Sequence, residues 1–263
     1  MKLSQNLKLA INASLLAGKK IIEVYNSDDF NLDYKEDNSP LTLADMSSNK
    51  IIGNILSTSN IPILSEEGNI IDYQKRKDLK NIWIVDPLDG TKEFIKKNGE
   101  FTVNISLIEN KKPILGVIYA PALNLLYFSQ YKMGSYKLDL NDFILNDIDF
   151  NKALRLPITK SENKYLVVTS RSHLNKQTLN YIKNLKNFKS DVDTINLGSS
   201  LKFCFLAEGK VDCYPRFSPC MEWDTAAGHI ICKEAGFEVI DQMTEKEIIY
   251  NREDLLNNSF IVK

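Results

Sequence analysis

Leu7, Ile11, Leu15, Gly18, Ile22 and Tyr25 recur at spacings of three and four, so the chain opens with an amphipathic helix. The stretch "NLDYKEDNSPLTLADMSSNKIIGNIL" then reads as a short strand, a polar turn through Pro40, and a second helix carrying Met46, Ile51, Ile55 and Leu56, with Asp45 near its front. "IPILSEEG" is a short apolar strand ending in Glu66 and Glu67, with Gly68 permitting a turn. "NIWIVDPLDG" repeats that arrangement, an apolar run ending in acid. From Phe101 to about Leu138, four segments alternate apolar and polar residues between turn signals, as antiparallel strands do, with Asn110-Lys111-Lys112 as a hairpin connection.

The later half changes rhythm. Strand "YLVVTS", a helix from about Asn175 to Leu185, a segment near "DTINLG", helix "SSLKFCFLAEG", strand "VDCYPRF", helix "DTAAGHIICKEAG" and strands "FEVI" and "SFIVK" alternate as in an α/β lobe. The pattern predicts an α+β, layered fold: an N-terminal α+β lobe of about 1–140 and a C-terminal α/β lobe of about 155–263. The polar stretch between Asp139 and Lys160 would separate them.

Composition narrows the function classes. With 33 basic and 34 acidic residues and no basic block, nucleic acid is not expected as a partner, whereas a small anionic ligand in a local pocket is compatible. Cys204, Cys213, Cys220 and Cys232 contain no C-x-x-C pair, and two histidines are too few to favour a zinc site, so reduced thiols are expected. Ser4, Gln5, Asn6, Lys8 and Asn12 interrupt the apolar residues at the start, which leaves no signal-peptide core. No segment approaches the ~20 apolar residues of a membrane span, and a cytoplasmic protein is expected.

Glu66, Asp86 and Asp89 fall at or just beyond predicted strand ends, where unneutralised carboxylates would raise one another's pKa values. Lys92 in a salt-bridge cluster is one counter-charge. Mg²⁺ is the other, because several acids with the Leu88 carbonyl form the hard oxygen set that it prefers, and it commonly takes phosphate oxygens as further ligands. Pro87 keeps the chain extended, Gly90 lets it turn so that amides can face an anion, and Thr91 adds a hydroxyl; Asp-Pro-Gly is equally the composition of an ordinary turn. Asp224, at the start of a predicted helix, is either a fourth ligand or an N-terminal cap, and Ala226, Ala227 and Gly228 allow close approach to another element.

"SEEG", "WIVDPLDGT" and "EWDTAAG", in this order, resemble the signatures of the inositol monophosphatase superfamily of Mg²⁺-dependent, lithium-sensitive phosphatases. "DNSPLTLAD", "DPLDGTKEFIKKNGEFTVNISLI", "SRSH" and "GSSLKFCFLAEGKVDCYPRF" narrow the likeness to the bacterial CysQ-type 3'(2'),5'-bisphosphate nucleotidases. The resemblance implies an αβαβα five-layer sandwich over 1–263 with the site between the lobes. It also implies hydrolysis of the 3'-phosphate of adenosine 3',5'-bisphosphate to AMP and phosphate, in support of sulfur assimilation or nucleotide recycling.

Carried over by motif, Glu66, Asp86 and the Leu88 carbonyl would hold one Mg²⁺, and Asp86, Asp89 and Asp224 a second; a third, weaker ion is common in the family, and Li⁺ would inhibit. Thr91 bonded to Asp45 would activate water together with Glu66, and the Gly90 and Thr91 amides would grip phosphate oxygens. His173, Ser199, Lys202 and Arg216 would face the nucleotide, alongside Glu66, Leu88, Asp89, Gly90, Thr91 and Asp224 around the reacting phosphate. Each has a plainer reading: His173 as a helix cap, Lys202 as a solvated lysine, Arg216 paired with an acid. His229 is expected to be satisfied internally. An inositol monophosphatase or other sugar phosphatase is the alternative enzyme, and a non-catalytic nucleotide- or metal-binding module the alternative of another class. Relatives include monomers and dimers, and some bacterial ones associate with the inner face of the cytoplasmic membrane.

Overall fold

The computed structural model describes residues 1–27, 33–34, 40–141, 148–158, 164–172, 174–189 and 191–263. Helix α1 (Gln5–Tyr25) begins where the Ser4 hydroxyl accepts from the Leu7 amide at 3.2 Å. After the paired segments β1 (Asp33–Tyr34) and β2 (Pro40–Leu41), helix α2 (Leu43–Leu56) begins in a reciprocal cap: Thr42 accepts from the Ala44 amide, and Asp45 accepts from the Thr42 amide at 2.8 Å.

α1 buries Leu7, Ile11, Leu15 and Gly18, and adds Ala10, Ala13, Ala17, Ile21 and Val24, because α2 and the sheet both cover it. On α2 the apolar expectation fails at Met46, which is 48% exposed. Asp45, Ser48, Ile52 and Leu56 share the inward face at helical spacing, and Met46 lies off it.

β3 (Ile63–Ser65), β4 (Asn81–Asp89), β5 (Thr102–Glu109), β6 (Lys112–Ala120), β7 (Leu125–Gln130), β8 (Gly134–Asp139) and β9 (Leu154–Arg155) form one sheet in chain order. β3 and β4 run parallel, and the later neighbours antiparallel. Two short helices flank β4, α3 (Tyr73–Arg76) before it and α4 (Thr91–Ile95) after it; neither is long enough to leave an apolar period in the sequence. Alternation along β4 sends Trp83 and Val85 to the α1–α2 side, and Ile82 and Ile84 to the other.

In the later half, β10 (Tyr165–Ser170), α5 (Lys176–Leu185) and β11 (Val192–Leu197) form a parallel unit. α6 (Leu201–Ala207), β12 (Tyr214–Arg216), α7 (Glu222–Glu234), β13 (Val239–Asp241) and β14 (Phe260–Val262) follow, with the three strands in the antiparallel order β12-β14-β13. A bridge between Val167 and Cys213 joins the two groups of strands into one layer. α6 and α7 pack between that layer and the seven-stranded sheet, and α5 covers the outer side through Ile182. The layers therefore run α, β, α, β, α. Among the described residues, no helix is long and apolar enough to cross a membrane.

Candidate active site

One polar face of α2 organises both acidic turns. Asn49 accepts from Ser65 Oγ at 2.8 Å and donates to the Glu67 carbonyl at 2.9 Å, so it holds the chain on both sides of Glu66. Ser48 donates to the Pro87 carbonyl at 2.7 Å. The Glu66 amide donates to the Val85 carbonyl at 3.1 Å, which extends the β3–β4 pairing by one residue and sets Glu66 beside Asp86.

Asp86 is more deeply placed than a strand-end acid. It lies within β4, opposite Asn104, and is 1% exposed; the pairing register then shifts before Asp89 meets Thr102. Pro87 lacks the N–H that regular pairing would use, so the irregularity falls between the two acids. The Asp86 carboxylate accepts from the Leu88 amide at 3.0 Å. Gly90, at φ +93, turns the chain out of β4 into α4.

Asp224 enters from the other side, in the first turn of α7, where it accepts from the Met221 amide at 2.9 Å. Carboxylate oxygens of Glu66, Asp86 and Asp224 lie within 4.8 Å of one another. Burial, and then the charges of Glu66, Asp89 and Asp224, raise the Asp86 pKa well above the usual carboxylate range. Burial and the neighbouring Asp89 and Glu66 likewise push Asp224 up. Lys92 does not relieve this charge: it is exposed, and among the described residues it pairs with none of these acids. The acids thus fit a hard divalent cation.

Asp89 lies beside this group, with Oδ2 2.7 Å from Ser200 Oγ and 3.3 Å from Asn104 Nδ2. Asn104 also donates to Ser200 Oγ at 2.9 Å, and Ser200 Oγ is 3.0 Å from the Asp224 carbonyl. Ser200 therefore links β4, β5 and α7 through one hydroxyl. Thr91 Oγ1 donates to Asp45 Oδ1 at 3.2 Å, with the Leu88 carbonyl at 3.4 Å as a second acceptor. Burial raises the Asp45 pKa, against hydrogen bonds from Thr42 and Thr91 that lower it.

Glu66, Asp89, Gly90, Thr91 and Asp224 line a cleft of ≈ 370 Å³ together with Ser199, Lys202 and Arg216. Lys202 is no solvated lysine. It is 4% exposed, its Nζ donates to the Leu197 carbonyl at 3.4 Å and to the Ser199 carbonyl, and burial draws its pKa down to about 8. Arg216 donates to the carbonyls of Ser218 (3.1 Å) and Pro219 (2.9 Å), and among the described residues it forms no ion pair. His173 lies outside the described residues. His229 Nδ1 lies 3.0 Å from the Tyr250 hydroxyl and Nε2 3.0 Å from Glu247, so it is satisfied inside the fold.

Sequence reasoning missed Ser48, Asn49, Asn104 and Ser200. For α2 a signal existed, since Asp45, Ser48 and Asn49 stand at i, i+3 and i+4, a polar stripe where an inward face is expected. No local pattern marks Asn104 or Ser200.

The chain belongs to the inositol monophosphatase family, whose profile matches residues 2–263. Within it, the chain is 45% identical over 226 residues to a 3'(2'),5'-bisphosphate nucleotidase CysQ of Buchnera aphidicola, covering 85% of this chain and 79% of the relative. Against the CysQ nucleotidase of Escherichia coli K12 it is 40% identical over 263 residues, covering 99% of this chain and 98% of the relative. The crystal structure of CysQ from Bacteroides thetaiotaomicron superposes with a TM-score of 0.89 at 48% identity, covering 98% of this chain and 96% of the other.

Proposed function

We propose that this chain is a Mg²⁺-dependent phosphomonoesterase that removes the 3'-phosphate of adenosine 3',5'-bisphosphate to give AMP and phosphate. The observation that carries this reading is the convergence of Glu66, Asp86 and Asp224, with Glu66 and Asp224 lining a cleft together with Lys202 and Arg216. Acids suited to a divalent cation beside two cationic side chains fit a substrate with a reacting phosphate and a second anionic group. The 40–45% identity to nucleotidases over most of the chain supports the choice of a nucleotide.

Glu66, Asp86 and the Leu88 carbonyl would hold one Mg²⁺, and Asp86, Asp89 and Asp224 a second. Mg²⁺ bound there would neutralise charge on the phosphoryl group and lower the pKa of an attacking water. Thr91 Oγ1, with its own proton directed at Asp45, has its lone pairs available to orient that water and take up its proton as the Thr91 proton passes to the Asp45 carboxylate. Glu66 belongs to the same water-activating group. Gly90 and Thr91 amides would bind phosphate oxygens, while Ser199, Lys202, Arg216 and His173 would hold the nucleotide. Inhibition by Li⁺ and a cytoplasmic setting belong to the same reading, the latter supported by four buried cysteines, all free.

Phosphate release from adenosine 3',5'-bisphosphate, its 2' isomer, the sulfated nucleotide and inositol 1-phosphate, with and without Mg²⁺ and Li⁺, tests the proposal. The expected outcome is Mg²⁺-dependent, Li⁺-inhibited turnover fastest on the 3',5'-bisphosphate. Preference for inositol 1-phosphate would favour a sugar phosphatase, and tight nucleotide binding without release a binding module.

A further inference from the structure

Arg171, in the "SRSH" stretch, has no part in the chemistry above, yet it is at the centre of a junction between the two halves of the molecule. Its guanidinium forks onto Glu100, Nε to Oε2 at 2.8 Å and Nη2 to Oε1 at 2.6 Å. Nη2 also donates to the Asn196 carbonyl at 3.0 Å, and the Arg171 amide to the Leu197 carbonyl at 3.2 Å. Glu100 in turn accepts from the Gly198 amide at 2.7 Å through the same Oε2. One carboxylate thus ties the end of β10 to the loop 198–200 that leads into α6.

That loop is under unusual constraint. Ser199 has φ +45, a left-handed conformation that costs a residue with a side chain. A Cβ at Gly198 would stand 2.7 Å from Glu93 Cγ and 2.8 Å from the Glu100 carbonyl, so the loop is pressed directly against the opposite half. A second tie, Ser172 Oγ to Glu93 Oε1 at 2.6 Å, runs alongside. The residues so held are Ser199, which lines the cleft, and Ser200, which contacts Asp89, with Lys202 bonded back to the Ser199 and Leu197 carbonyls.

We propose that Arg171 and Glu100 are a positioning pair that holds the 198–202 segment in its strained, cleft-facing shape and thereby sets recognition of the part of the substrate beyond the reacting phosphate. The planar fork suits this task, because it fixes orientation as well as charge. The Arg171 side chain is 43% exposed and that of Glu100 18%, and an ion pair with its cation this open to solvent adds little to global stability. Its removal should leave the fold intact and release the loop. The inference rests on the phosphatase reading but does not depend on which ester is preferred.

The test compares wild type with Glu100→Ala, Arg171→Ala and Arg171→Lys on two esters: the one the wild type prefers, and p-nitrophenyl phosphate, which carries no nucleotide or sugar to recognise. With Mg²⁺ at saturation in every variant, so that any weakening of the Ser200 hold on Asp89 is not limiting, the Ala variants should raise KM for the preferred ester about tenfold and leave its kcat, and turnover of p-nitrophenyl phosphate, within about twofold. Arg171→Lys, which keeps the charge without the fork, should fall between. Amide hydrogen exchange at 198–200 should quicken in the Ala variants without any substrate present. Unchanged exchange, an unchanged KM, or an equal loss on both esters would overturn the inference. A wild type that prefers inositol 1-phosphate would instead overturn the nucleotide reading, and the pair would then be judged with that ester.

Discussion

Two of the site's acids each serve the backbone and the cleft at once. Asp45 closes the cap of α2 through Oδ2, which leaves Oδ1 directed at Thr91. Asp224 closes the first turn of α7 on the Met221 amide while belonging to the carboxylate group. Helix capping therefore pre-sets the orientation of both side chains, so less ordering remains for a bound ion or substrate to impose. Asp89 depends instead on side chains, chiefly Ser200. Ser200→Ala should raise the Mg²⁺ concentration needed for half-maximal phosphatase activity by about tenfold or more, with an unchanged circular dichroism spectrum. Wild-type Mg²⁺ dependence would show that Ser200 does not hold Asp89 for the metal. The acids are legible in the sequence because Asp-Pro-Leu-Asp-Gly-Thr concentrates unusual residue types in one stretch. Asn104 and Ser200 are not, since a polar residue in a strand or loop has the same local pattern whether it faces solvent or a carboxylate 111 residues away in sequence, as Ser200 does with Asp89.

At the scale of elements, α7 is the decisive placement. It belongs by order to the later half, yet it lies on the seven-stranded sheet, where Gly116 of β6 leaves room for its backbone. A Cβ at Gly116 would stand 2.6 Å from the Ala227 carbonyl oxygen and 2.5 Å from Ile230 Cγ2. Gly116→Ala should thus lower stability by about 1–3 kcal/mol, seen as a lower urea midpoint with an unchanged m value. Because Asp224 is carried on the same helix, Mg²⁺-dependent turnover should fall as well. A midpoint equal to wild type would mean that the helix can shift without cost. The small residues of "DTAAG" announce that this helix meets something closely. That its partner is β6 follows only from packing.

For the whole molecule, a near-neutral net charge conceals a concentrated negative centre. Asp224 is pushed up to about 8 by burial and its acidic neighbours, against ~3.9 in an unfolded chain, so between these values the native state binds more protons and stability falls as pH rises. His229, lowered by burial, acts in the opposite sense only below about 6.5. Lys202, drawn down to about 8, opposes only above that pH. Across the window from about pH 6.5 to 8, the Tm of the protein in chelator should therefore decline. Added Mg²⁺ should raise it more at the upper end, because the metal binds the ionised acids. Differential scanning fluorimetry checks both, and a Tm in chelator that is flat or rising across the window would contradict the raised pKa of Asp224.

The sequence by itself determined the alternation of the strands, the principal helices, the layered class and the identity of Glu66, Asp86, Asp89 and Asp224 as acids needing a counter-charge. These are local properties: periodicity, turn chemistry and side-chain charge act within a few residues. Tertiary structure alone decided that Asp86 sits inside the sheet, that Met46 faces outward while Ser48 and Asn49 brace the acidic turns, that Lys202 is buried, and that Arg171 reaches Glu100. Each of these depends on which surfaces meet, and a chain records that only through the summed packing of residues far apart along it.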